Sequence, residues 1–166
     1  MKTLNRKAIK EAPGLTRFTE FQRLSPEQID IESDEVRGYS VITRGEARGH
    51  GMWIDAEMLQ MVNDAGNAAT RGVKSRYGHP GMSGDALGTA LGRTTNFRIE
   101  GDRVLADLKF FKAAHSAPGK GDLPAYIMGL ADEDSEAFGA SIVFSRDLDA
   151  EREFFQANKD PKKGFV

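Results

Sequence analysis

The chain of 166 residues reads as an α+β protein, and three observations predict that class. Apolar and polar residues alternate through Thr94–Glu100 and again through Arg103–Phe111, on either side of Gly101-Asp102, which marks two antiparallel strands joined by a tight turn. Met58, Leu59, Val62 and Ala65 recur at helical spacing behind Asp55, with Gly66 after them. Finally, helical segments stand between separated hairpin strands and not between single strands in regular βα units. That arrangement points away from a parallel doubly wound sheet.

The elements follow in order. Residues 1–34 mix both charge signs with Pro13, Gly14 and Pro26 and show no sustained period, so they read as an arm, or as one extended segment laid on the domain. Val36–Thr43 is rich in β-branched and aromatic residues and predicts a strand. Gly45–Gly51 reads as a glycine-rich loop; it lacks the Lys-Ser/Thr ending and the following helix of a phosphate-binding loop. Asp55 stands as the N-cap of a helix over Ala56–Ala65 that Gly66 ends, and the methionines of this helix read as core packing. Lys74–His79 and a small-residue loop, Pro80–Asp85, come next, and Leu87–Gly92 leads into the hairpin. Ala113–Asp122, rich in glycine and proline, is a loop. Leu123–Ala131 is a short helix with Leu123, Ile127 and Leu130 on one face. After the acidic break Asp132–Glu136, the stretch Glu136–Phe144 reads as a buried strand that presents Ser141. Arg146–Asn158 reads as a charged helix, and 159–166 as a linker-like tail. The folded domain is therefore expected over 35–158.

Composition removes several function classes. Hydrophobic residues at 39% and charged residues at 29% are ordinary for a globular domain, and the length is enough for one core. A formal charge of −2 with a pI near 6.0 argues against a dedicated nucleic-acid binder. With no cysteine there are no disulfides, cysteine nucleophiles or thiolate metal sites. No apolar run approaches the roughly 20 residues that span a bilayer. The basic start, Met1–Lys7, lacks the apolar core of a signal peptide, so a cytoplasmic protein without membrane partners is expected.

Two residues carry the chemical interest. A serine hydroxyl becomes a useful nucleophile when a base, most often histidine, takes its proton, and a third group then orients the imidazole. Ser141 follows Gly139 and Ala140, small residues beside which backbone N–H donors can serve a developing oxyanion, and His79 stands between Gly78 and Pro80. The two lie 141 − 79 = 62 residues apart. On pattern alone two readings stand: a nucleophile–base pair, or a serine bonded within its strand and a histidine that holds its loop. His50, His79 and His115 are spaced by 79 − 50 = 29 and 115 − 79 = 36, with no close pair to nucleate a zinc site, so neither a metal nor a cofactor is expected. His50 and His115 read as loop residues, His115 solvated.

The order His79-Pro80, then the Phe97–Phe110 hairpin, then a short helix, then Gly139-Ala140-Ser141-Ile142-Val143-Phe144 resembles the prohead (capsid maturation) serine proteases of tailed phages, of the T4 and HK97 types. The resemblance covers roughly Val36–Phe144, and its motifs are specific through their order and spacing together. It implies a protease domain over 35–158 with the fold of herpesvirus assemblin, a small, mainly antiparallel β-barrel surrounded by helices. It makes His79 the general base and Ser141 the nucleophile. The implied substrates are internal scaffold and major capsid precursor proteins, cut inside the procapsid in the host cytoplasm, with self-cleavage and self-association as further expectations. One departure concerns the strand that follows the serine strand in the family, often with an acidic residue ahead of a proline turn. No such strand is evident after Phe144, so the chain reads as a fragment or a processed form. Asp147 is taken as the third triad member, with Asp149 and Glu46 as alternatives.

The main competitor to the peptidase is a non-catalytic assembly domain that binds scaffold or capsid protein. A metal-dependent hydrolase is the third possibility, which chelation and elemental analysis test.

Overall fold

The computed structural model describes residues 28–47, 52–78, 89–134, 140, 142–143, 149 and 152–153. They form an α+β domain. In chain order the strands are β1 (Ile29–Asp30), β2 (Glu35–Thr43), β3 (Gly45–Ala47) and β4 (Met52–Ile54); helix α1 (Ala56–Ala68) follows. Then come β5 (Val73–Tyr77), β6 (Thr89–Glu100), β7 (Arg103–Phe110), a 3-10 helix (Lys112–Ser116) and α2 (Leu123–Glu133). Five strands make one antiparallel sheet in the order β1-β2-β7-β6-β5, and β3 pairs with β4 in a separate ribbon. Asp149, Arg152 and Glu153 are helical, in keeping with the expected charged helix. Among the described residues no helix is long and apolar enough to cross a membrane.

The hairpin forms where the alternation places it, with Gly101 at φ +58° in the turn. Val104, Ala106, Leu108 and Phe110 are buried on one face of β7. The alternation does not continue cleanly on β6, where Phe97 is buried and Ile99 is 39% exposed. A register shift between Thr95 and Arg98 inserts an extra residue there, and Asn96 takes φ +58°, a left-handed conformation that asparagine tolerates. Two further shifts interrupt β2, between Val36 and Tyr39 and between Ser40 and Ile42. Such bulges sharpen the local twist of the strands that carry them.

Helix α1 docks on the β6 bulge. Asp55 caps it by accepting from the Met58 N–H at 2.9 Å, as its place in the sequence implies. The helix continues past Gly66 to Ala68, and its buried residues are Met58, Leu59 and Gly66, with Ala65 exposed. Gly66 is therefore a packing residue and not a terminator. The Phe97 ring lies against it so closely that a Cβ there would overlap the ring. Burying a phenylalanine is worth about 1.5–3 kcal/mol, which exceeds the cost of about 1 kcal/mol for glycine inside a helix. Asn67, one residue on, serves the Phe97 backbone that the bulge leaves without a strand partner, donating to its carbonyl at 2.9 Å and accepting from its N–H at 3.2 Å.

Two loop expectations are corrected in part. Gly45–Ala47 is a strand against Met52–Ile54 and not loop, because the glycine with φ +123° still leaves Glu46 opposite Trp53. The first residues of the loop expected over Ala113–Asp122 belong to a 3-10 helix, Lys112–Ser116, and Val73–Tyr77, to which the sequence assigned no element, is an edge strand. Helix α2 runs to Glu133, capped by Asp122, which accepts from Ala125 N–H at 3.0 Å; Leu123, Pro124, Ile127, Met128 and Ala131 are buried.

On the opposite face of the sheet from the core, one row of side chains crosses five strands. Lys74 pairs with Arg93, Arg93 with Lys109, Lys109 with Glu35, and Glu35 with Asp30.

Candidate active site

His79, Ser141 and Asp147 lie outside the described residues, as does His50, so the fold is described up to the segments that carry them. Strand β5 ends at Tyr77, opposite Thr89, and Gly78 at φ +83° follows as the residue before His79. Of the stretch Glu136–Phe144, Ala140, Ile142 and Val143 are described, and none of the three belongs to a strand. This departs from the expected buried strand: Val143 is 69% exposed. Ile142, however, is partly buried and packs against the hydrophobic core, so the residue after Ser141 is seated on the same core as the sheet.

Strand β5 is tied to that core by polar as well as backbone contacts. Thr94 Oγ1, almost fully buried on β6, lies 2.7 Å from the Tyr39 hydroxyl and 2.6 Å from Ser75 Oγ. The chain of hydroxyls spans β2, β6 and β5. Burial pushes the Tyr39 hydroxyl up, against the opposing hydrogen bonds from Thr94 and Ser75, and so holds it protonated. Ser75 is thereby fixed four residues before His79.

The alternative third residues have different settings. Asp149 is an exposed carboxylate that accepts from Arg152 at 3.0 Å, on its own helical turn. Glu46 is exposed on β3. Neither is buried beside an imidazole among the described residues, the setting in which a triad carboxylate orients its histidine.

Two charged clusters escaped sequence reasoning. Asp107 is buried on β7 between the bulges of both neighbouring strands, and accepts from Gly38 N–H at 2.8 Å, Asn96 Nδ2 at 2.6 Å and Arg98 Nη1 at 3.0 Å. Burial pushes its carboxyl up, but the bonds from Asn96, Gly38 and Arg98, with the Arg98 charge, outweigh this and hold it below the usual range. An aspartate among the apolar residues of a strand was the signal available. His115, expected to be solvated, instead places Nε2 3.1 Å from Asp34 and Nδ1 2.9 Å from Asp122, the cap of α2. The hydrogen bond to Asp122 raises its pKa, burial opposes this, and the charges of Asp122 and Asp34 add to the rise. With both ring nitrogens on carboxylates, His115 is a structural clip and not a base for a serine. Among the described residues no group of three or more His, Asp or Glu side chains is arranged to hold a metal ion.

Comparison with protein-family models, with curated proteins and with solved structures returns no match to this chain.

Proposed function

We propose that this chain is a serine endopeptidase of the prohead maturation type, with Ser141 as nucleophile, His79 as base and Asp147 as the group that orients the imidazole. The observation that carries the reading is the common anchorage of the two flanking segments. Ile142, beside Ser141, packs on the core, and β5, which leads to His79, is bound into the same core through Ser75, Thr94 and Tyr39. The order of strand, hairpin and short helix between them also supports it. In the same proposal the bulged sheet is part of a small assemblin-like β-barrel.

The chemistry follows from the residue types. Ser141 Oγ attacks the scissile carbonyl while His79 takes its proton. His79 then returns the proton to the leaving amine, and water repeats the sequence on the acyl-enzyme. Gly139 and Ala140, with little side chain, suit backbone donation to the tetrahedral oxyanion. No metal or cofactor is called for in this reaction. The substrates are scaffold and major capsid precursor proteins, cut inside the procapsid in the host cytoplasm, with self-cleavage and self-association.

Purified chain incubated with scaffold protein tests this. Ser141→Ala and His79→Ala each reduce cleavage to background with an unchanged far-UV spectrum, and Asp147→Asn lowers kcat by about two to four orders of magnitude. Cleavage by the unmodified chain falls as pH drops, because an imidazolium cannot accept the serine proton. Full cleavage by either alanine variant overturns the assignment, and tight binding of scaffold with no fragments favours an assembly domain.

A further inference from the structure

We propose that the outer edge of β5 is the substrate-docking strand, and that it takes an extended peptide segment whose side chains alternate between acidic and apolar. The proposal deepens the endopeptidase reading and rests on it.

Three features of β5 combine here. It is the last strand of the sheet, and among the described residues β6 is its one strand partner, so within those residues its second row of backbone donors and acceptors has no strand against it. The register shift between Ser75 and Arg76 places the extra residue, Leu91, on β6, so β5 itself keeps a regular alternation. And its C-terminal residue, Tyr77, stands two positions before His79 in the sequence. A peptide added along this edge is thereby led toward the base.

The side chains define the occupant. Lys74 and Arg76 share one face of the strand, where Lys74 sits opposite Arg93 and Arg93 opposite Lys109. Among the described residues no carboxylate pairs with Lys74 or Arg93. On the other face Ser75 is turned in to Thr94, and Val73 and Tyr77 flank it, 40% and 37% exposed. An added strand continues both faces, so its residues beside Lys74 and Arg76 meet positive charge and their neighbours meet Val73 and Tyr77. A second copy of the same edge would bring lysine and arginine against lysine and arginine, which disfavours self-pairing there.

The test uses the full chain carrying Ser141→Ala and three fluorescein-labelled peptides of about eight residues, a common strand length. One alternates Glu with Val, one alternates Lys with Val, and one holds the Glu and Val residues in two separate blocks. Fluorescence anisotropy is expected to show the alternating Glu/Val peptide binding at least about tenfold tighter than either of the others. Lys74→Glu with Arg76→Glu then weakens it by about tenfold; where that pair disturbs the far-UV spectrum, Lys74→Gln with Arg76→Gln is read instead. Equal binding of the three peptides, or no response to both variant pairs, overturns the proposal. Displacement of the peptide by single-stranded DNA as readily as by unlabelled peptide also overturns it, by showing a generic basic surface. The two readings fail separately. Selective peptide binding with no cleavage by unmodified protein removes the peptidase and keeps the dock. Scaffold cleavage whose kcat/KM is untouched by the charge variants does the reverse.

Discussion

The side-chain amide of Asn67 stands in for a strand partner of Phe97, meeting both its carbonyl and its N–H across 2.9 and 3.2 Å. Helix α1 is thus attached to the sheet at the point where the sheet's own ladder is broken. Replacement Asn67→Ala leaves two part-buried backbone groups of Phe97 without these bonds, and each such loss costs about 1–3 kcal/mol when the group stays dry. We expect a drop in unfolding free energy of about 2–3 kcal/mol in urea titration, with the slope unchanged.

Asp107 ties bulges in two strands to one carboxylate, and its removal is expected to loosen both. Asp107→Ala costs about 2–4 kcal/mol, because Gly38 N–H, Asn96 and Arg98 lose a shared acceptor. The pH dependence has a definite sign. A carboxyl whose folded pKa is lowered stabilises the fold above its unfolded value, and that contribution is lost as pH falls through the folded value. Thermal melts in acid should show the unmodified chain losing stability more steeply than Asp107→Asn.

Thr94, itself buried, holds the buried Tyr39 hydroxyl and the part-buried Ser75 hydroxyl together. Thr94→Val keeps the shape and removes the bonds, and it is expected to cost about 1–3 kcal/mol. Thr94→Ser, which restores a hydroxyl at the price of one methyl, should recover part of that loss. Cleavage activity gives a second measurement, since Ser75 lies on the strand that leads to His79.

His115 gives the opposite pH response to Asp107. Its folded pKa is raised, so its contribution is complete below the ordinary histidine value and is lost as pH rises through the folded one. Melts between about pH 6 and about pH 8.5 should show a decline in the unmodified chain that His115→Gln flattens. A decline of equal size in both proteins would show that other groups govern this window.

The parts of the fold legible in the sequence are those that rest on near neighbours. The β6–β7 hairpin is marked by alternation and Gly101, and α1 by the Asp55 cap three residues before Met58 N. Strand β5 was not legible, because Val-Lys-Ser-Arg-Tyr is what a half-exposed edge requires and carries no strong period. The bulges, and with them the burial of Asp107, depend on Gly38 and Asn96 from separate strands, the first 69 residues away in sequence. His115 meets Asp34 across 81 residues, a pairing that no local pattern announces. Ser141 and His79 were drawn from the order of motifs along the chain; the structure adds the footing of their neighbours, Ile142 and β5, on the core.

The row from Lys74 through Arg93 and Lys109 to Glu35 and Asp30 carries its three cations toward β5 and its two anions toward β1. Arg37 on β2 is bonded to both anions and leaves one net negative charge at the β1 side, so the described residues of this face carry a lateral dipole, positive at β5. Such a separation turns an approaching molecule before it touches. A negatively charged surface draws the β5 side forward and delivers that edge more often than random tumbling would. The bias acts on encounter rate, and it fades as salt shortens the screening length from about 8 Å near physiological ionic strength to about 3 Å at 1 M.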